Sequence, residues 1–341
     1  MFQLFPANFR LLRLLLPFTA FFTFCAIIFA GPAFAEQKDF DIWMQELKQQ
    51  ALQDGISQQT LDKALDGVKV IPRVIELDRK QPEKTITFRK YKSSILSDWR
   101  IRKGREMIRK HRDELKEVSD KFGVAPQYIV ALWGIETSYG QYTGGFDVIP
   151  ALVTLAYDER RSAFFRKELM TALKILDEGH VNPENMRGSW AGAMGQNQFM
   201  PSSFQTFAID YNGDGRRDIW DTHLDVFASS ANYLSKSGWI DGQRWGRPVK
   251  LPRQFPENLI SKDVIKPLAD WRNMGVTRPD GSAIPVIDGF KASLVAPDGP
   301  EGSVYLIYNN YRTILKWNRS DYFAASVGLL ADRLATALED S

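Results

Sequence analysis

Cysteine is almost missing from this 341-residue chain; Cys25 is its one example. It sits inside an apolar run, residues 14–30, that follows Arg10 and Arg13 and leads to Ala33, Phe34 and Ala35. A basic start, an apolar middle and a small-x-small exit predict a secretory signal peptide over residues 1–35, cleaved after Ala35. Phe24 precedes Cys25 where a lipoprotein signal needs a small residue, so no stable membrane anchor is expected. The mature chain would then hold no cysteine. That excludes disulfides, thiolate zinc sites and a cysteine nucleophile, and it suits a bacterial periplasm. Net charge is also scarce. The leader carries two arginines and no acid, so the formal +3 of the whole chain becomes +1. Nothing in that balance predicts nucleic acid as a partner. The Lys- and Arg-rich stretch at residues 89–112 reads as a solvated helix face, with contact to an anionic polymer as the alternative. There is no βαβ alternation, no phosphate-binding glycine loop, no internal repeat and no low-complexity segment.

What is present is mostly helical spacing. Asp39 is a candidate N-cap ahead of Phe40, Trp43, Met44 and Leu47. A second helix is expected from near Ser57, carrying Leu61, Ala64 and Leu65. Pro72 and Pro82 punctuate a connector. Helical spacing resumes through Ile95, Trp99 and Ile101 and ends near Phe122 and Gly123. Further helices are expected over residues 162–178, 203–209, 224–237, 262–274 and 320–338. Residues 292–295 and 304–308 read as two strands around the turn Pro297, Asp298, Gly299. The expected class is mainly α (α+β). The expected division is a leader (1–35), an N-terminal helical region (36–88), a core (89–245) and a C-terminal part with a small β hairpin and a last helix (246–341).

Within the core, residues 132–140 read LWGIETSYG. A helix opening at Pro126 puts Ile129, Leu132, Trp133 and Glu136 on one face, so a carboxylic acid continues an apolar stripe. Gly140 is a plausible C-cap. Burial and the negative end of the helix dipole both disfavour a carboxylate, so both raise the Glu136 pKa. A carboxyl protonated near neutral pH is what a general acid requires. Residues 188–204, GSWAGAMGQNQFMPSSF, add glycines for close backbone approach. They also add three consecutive amides, Gln196, Asn197 and Gln198, suited to hydroxyl and N-acetyl groups.

These segments carry a resemblance. GIETSYG, SWAGAMGQNQFMPSSF, DYNGDGRRDIWD, ANYLSKSGW and KWN, in this order, resemble the lytic murein transglycosylases of the membrane-bound B type, which have a lysozyme-like catalytic core. The resemblance implies cleavage of the β-1,4 bond between N-acetylmuramic acid and N-acetylglucosamine, leaving 1,6-anhydromuramic acid ends. It implies that Glu136 is the single catalytic acid and that Ser189 hydrogen-bonds it. It implies that Gln198 contacts substrate and that Tyr233, Asn318 and Tyr91 line the cleft. Asn197 departs from the family, which usually has glycine or proline there. The implied partners are peptidoglycan strands and other cell-wall enzymes.

No second acid stands out in a motif near Glu136, whereas most glycosidases need a carboxylate pair. Asp147, Asp158 and Glu159 look like turn or surface residues. No cofactor is expected for catalysis. One structural Ca²⁺ is a separate expectation. Residues 210–221 match an EF-hand loop, with Asp210, Asn212, Asp214, the Arg216 carbonyl and Asp218 as ligands and glycine at the sixth position. Asp221, or the later Asp225, would close the shell; a metal-free loop of Asx turns is the alternative. The rival functions are a hydrolytic muramidase, a non-catalytic peptidoglycan-binding protein and a calcium sensor.

Overall fold

The computed structural model describes residues 32–80 and 86–336. The expected leader therefore lies outside them as far as residue 31. Two units are distinguished, residues 1–44 and 45–341. The described part of the first is the opening of helix α1, Pro32–Gln53, where the Phe40 and Trp43 rings stack 6.0 Å apart. Asp39 lies within this helix and does not cap it.

The second unit is mainly helical. After α1 come α2 (Gln58–Leu65), α3 (Pro72–Arg79), α4 (Phe88–Ile95), α5 (Asp98–Lys110), α6 (Arg112–Phe122) and α7 (Pro126–Thr137). The stretch expected as continuous helical spacing is thus three helices. Ser97 caps α5 by accepting the Arg100 N–H, and Gly123 ends α6 in the left-handed region. Next come a short strand β1 (Phe146–Asp147), α8 (Val148–Tyr157) and α9 (Ser162–Asp177). They are followed by β2 (Arg187–Gly188), α10 (Pro201–Phe207) and α11 (His223–Lys236). The C-terminal part holds β3 (Gly246–Val249), β4 (Lys266–Pro267), α12 (Leu268–Asn273), β5 (Lys291–Val295), β6 (Val304–Ile307), α13 (Asn309–Trp317) and α14 (Asp321–Leu334).

Helix α7 is the centre of this unit. Proline at its first turn suits the fixed φ there. The seven residues from Tyr128 through Gly134 are all buried, because α5, α6, α11 and α14 all pack on it. The expected one-sided stripe is therefore wrong for most of the helix. Each large apolar side chain removed from water here contributes about 1.5–3 kcal/mol. Helices α8 and α9 pack on each other, with α2, α3 and α10 beside them.

The expected hairpin is real but belongs to a four-stranded antiparallel sheet of order β3-β6-β5-β4. Its core includes Val249, Leu268, Trp271, Leu294, Val304 and Leu306. The helix expected over residues 262–274 is shorter, because Lys266 and Pro267 pair with β5 first. The β5–β6 turn also reaches the helical core. The Asp298 carboxylate accepts the Phe88 and Arg89 N–H groups at 2.5 and 2.8 Å, satisfying the open end of α4.

Candidate functional site

Glu136 is the next-to-last residue of α7. The expected cap at Gly140 comes too late. Ser138 already turns left-handed (φ 52°), and Tyr139 (φ 63°) and Gly140 (φ 79°) continue the turn. Two consecutive non-glycine residues in this region cost about 1–2 kcal/mol each. Packing holds them there. The Tyr139 hydroxyl donates to the Arg100 carbonyl at 2.6 Å, and its ring meets Trp133 edge-on at 5.5 Å. Arg100 in turn donates to the carbonyls of Gly134 and Ile95 at 3.0 and 2.9 Å, tying the α4–α5 turn to α7.

Glu136 is half-buried. Burial pushes its carboxyl up to about 7, and one hydrogen bond pulls the other way: the Trp317 indole N–H donates to Oε1 at 2.7 Å. No neighbouring charge enters the balance. Asp147 pairs with Arg187 at the surface and Asp158 with Arg79. Both thus fit their expected turn or surface place.

Trp317, the last residue of α13, was not among the expected site residues. It lies 181 residues from Glu136, and nothing in a lone Lys-Trp-Asn triplet signals that contact. Its ring packs in a three-ring cluster, 5.1 Å from Phe199 and 4.7 Å from Tyr233. The preceding residue is tied twice to α11 and its C-cap. The Lys316 carbonyl accepts the Tyr233 hydroxyl and its ammonium donates to the Ser237 carbonyl, each at 2.6 Å. Tyr233 is accordingly buried, with its hydroxyl spent on the backbone and its ring against that of Trp317.

Residues 188–199 dock against the end of α7. Thr137 Oγ1 donates to the Gln196 carbonyl at 3.1 Å, and Trp133 Nε1 donates to Gln196 Oε1 at 2.8 Å. Gln196 Nε2 donates to the Trp220 carbonyl at 2.6 Å. Asn197 is buried too, its amide donating to the Val226 carbonyl and Ser230 Oγ. Two of the three amides expected to meet sugar are therefore structural, and Asn197 anchors the loop to α11. Only Gln198 is half-exposed. Its Nε2 donates to the Thr143 carbonyl at 2.7 Å, and its backbone is left-handed (φ 51°).

Ser189 also differs from expectation. Its Oγ accepts the Ala193 N–H at 3.1 Å, closing its own turn, while the hydrogen bond to Glu136 comes from Trp317. Asn318 is exposed and accepts the Ser320 N–H at 3.0 Å, beside the start of α14. Tyr91 is on α4, its ring 5.8 Å from that of Tyr322, and it lies close enough to Arg100 to influence the guanidinium.

The acidic loop is a network of Asx turns. Asp210 accepts the N–H groups of Gly213, Asp214 and Gly215 at 2.7 to 3.1 Å. Asp225, fully buried, accepts those of Tyr211 and Asp218. The expected ligand Asp218 is buried and turned inward, accepting from Trp220, Asp221 and Thr222. Asp221 is exposed. Among the described residues no three His, Cys, Asp or Glu side chains are placed to hold a metal. The outer donors Asn212 and Asp214 are exposed and Asp210 is half-buried; all three offer oxygen, which is the chemistry a hard cation takes.

Residues 39–332 match the family model described as Transglycosylase SLT domain. Over 299 residues the chain is 30% identical to membrane-bound lytic murein transglycosylase B of Escherichia coli K12, spanning 83% of this chain and 80% of that protein. Its fold resembles SltB3 of Pseudomonas aeruginosa, solved in complex with NAG-anhNAM-pentapeptide, with TM-score 0.84 and 44% identity over 87% of this chain and 79% of that one. It also resembles Slt35 of Escherichia coli, solved in complex with calcium, with TM-score 0.74 and 28% identity over 86% and 93%. Among the described residues no helix is long and apolar enough to cross a membrane. A mainly helical chain with a carboxyl poised at the end of its central helix, matched to this family over almost its whole described length, belongs to the SLT-domain transglycosylases and is a peptidoglycan lytic transglycosylase, a lyase.

Proposed function

We propose that Glu136 alone carries the proton chemistry, first as acid and then as base. The observation behind this is a half-buried carboxyl with a pKa near 7, one N–H donor and no charged neighbour. A second carboxylate at glycosidase spacing would add its own repulsion. Glu136 donates its proton to the glycosidic oxygen as the bond from C1 of N-acetylmuramic acid breaks. The N-acetyl oxygen of the same sugar bonds to C1 and takes up the positive charge. The Glu136 carboxylate then removes the proton of the C6 hydroxyl. O6 attacks C1, displaces the acetamido oxygen and closes the 1,6-anhydro ring. Water is neither consumed nor released.

Substrate contacts in this reading come from Tyr91, Ser189, Gln198, Tyr233 and Asn318. Gln198 meets the sugar through its carbonyl oxygen, since its NH₂ donates to Thr143. Tyr233 contributes through its ring and through Trp317. Mass spectrometry of sacculi digested in H₂¹⁸O tests the reaction. The expected ends are 1,6-anhydromuramic acid without ¹⁸O. Reducing ends carrying ¹⁸O would make the enzyme a muramidase. The leader, cleaved after Ala35, would place the enzyme in the periplasm, where this polymer lies.

The loop at 210–221 has the donor chemistry for one structural Ca²⁺, held by Asp210, Asn212, Asp214 and the Arg216 carbonyl. Asp218 and Asp225 would organise the loop from behind, and Asp221 would need to turn inward to join. Bound calcium would supply only stability. An ion bound at 100 times its Kd stabilises the folded state by about 2.7 kcal/mol. Millimolar calcium is therefore expected to raise Tm by several degrees over chelator, and an Asp210→Ala variant to show no difference. Equal Tm values in wild type would leave the Asx-turn loop metal-free.

A further inference from the structure

Every donor that meets a carboxylate sets both its acidity and its orientation. For Glu136 that donor is the indole of Trp317, bonded to Oε1. An indole offers one N–H and no acceptor. It can steady the anion, yet it can neither supply nor take the catalytic proton. It is also held rigidly, by the rings of Phe199 and Tyr233 and by the two bonds from Lys316 to α11 and its C-cap. Titratable groups on the elements packed around it bond elsewhere, Asp321 of α14 with Lys262 and Tyr311 among them. Tyr233 bonds the Lys316 carbonyl, Lys316 the Ser237 carbonyl and Tyr139 the Arg100 carbonyl. Arg100 reaches backbone carbonyls of α7 and the α4–α5 turn. His111 and His223 pack against Trp133.

We propose that Trp317 is a positioning residue, whose N–H occupies Oε1 so that Oε2 is the oxygen that delivers the proton to the glycosidic bond and recovers it from the C6 hydroxyl. This rests on the acid-then-base reading of Glu136. A carboxyl buried without a donor would remain a ready acid, but its anion would be poorly stabilised between the two proton transfers. The indole bond is favourable to that anion and opposes the burial that raises the pKa. The C-terminal helix α13 thereby completes a site whose acid belongs to α7.

Trp317→Phe keeps a ring against Phe199 and Tyr233 and removes the N–H. Loss of one hydrogen bond to a charged acceptor is expected to move the alkaline limb of kcat/KM upward by about one pH unit. It is also expected to lower kcat about tenfold with little change in KM. An unmoved limb would overturn the proposal, whatever happens to the rate. If the variant folds poorly by circular dichroism, the wild type decides. One indole N–H resonance should titrate with the same midpoint as the kinetic limb and stay flat in Glu136→Gln. No titrating indole would overturn the proposal equally. Glu136→Gln also separates the two readings. If it stays active, the single-acid reading fails. If it is inactive while the Trp317→Phe limb stands still, only the role of Trp317 fails.

Discussion

Glu136→Gln is expected to abolish release of muropeptides from purified sacculi. The amide preserves the shape and can still accept the Trp317 N–H at the oxygen position, but it has no acidic proton to give. Removing an essential general acid lowers the rate at least ~10²-fold, equivalent to about 2.7 kcal/mol of barrier. Residual turnover above about 1% of wild type would remove Glu136 from its role. Stability should move in the opposite direction at alkaline pH. The folded pKa of Glu136 is raised from 4.5 to about 7, so the folded state holds a proton that the unfolded chain releases in that interval. Wild-type stability therefore falls as pH rises from 4.5 towards 7, by linkage. Glu136→Gln has no such decline. Its Tm relative to wild type should rise between pH 5 and pH 8, which also shows that lost activity is not lost folding.

Gly144→Ala is expected to damage both fold and activity. Gly144 has φ 117°, and a Cβ there would lie 1.9 Å from the Gly188 carbonyl oxygen. Neither partner is a flexible side chain; two backbones meet. This contact joins the loop after α7 to the segment that carries Ser189 and Gln198. Backbone strain and steric exclusion together place the substitution among the severe ones, at about 4 kcal/mol. For a unit of this size that is a fall in Tm on the order of 10 °C. Thermal unfolding with sacculus digestion at low temperature measures both effects. A Tm within a degree of wild type, with normal digestion, would show that the two segments are not locked together. Gly145→Ala is a matched control, since a Cβ there meets nothing within 4 Å.

Helix α9 was legible because Phe165, Leu169, Leu173 and Leu176 repeat at helical spacing and are buried. Strands β5 and β6 were legible from β-branched residues around a glycine turn. Helix α8 was not. Its residues Val148 to Tyr157 are apolar on all sides, so no periodicity marks them. Strand β4 is two residues long, and both β3 and β4 carry a proline, Pro248 and Pro267, against the usual strand signals. In the site, the order of motifs identified the family, and Glu136 was legible as an acid in an apolar context.

The sequence by itself thus determined the class of fold, the family and the residue with the chemistry of an acid, because local spacing and ordered motifs are properties of a chain. Tertiary structure alone decided which groups touch that acid. It assigned the hydrogen bond to Trp317 instead of Ser189 and turned Gln196 and Asn197 into core residues. Those outcomes depend on helices α7, α11 and α13, distant in sequence, meeting at one point. A hydrogen bond requires partners within about 3 Å, and no one-dimensional spacing encodes such a distance between residues so far apart along the chain.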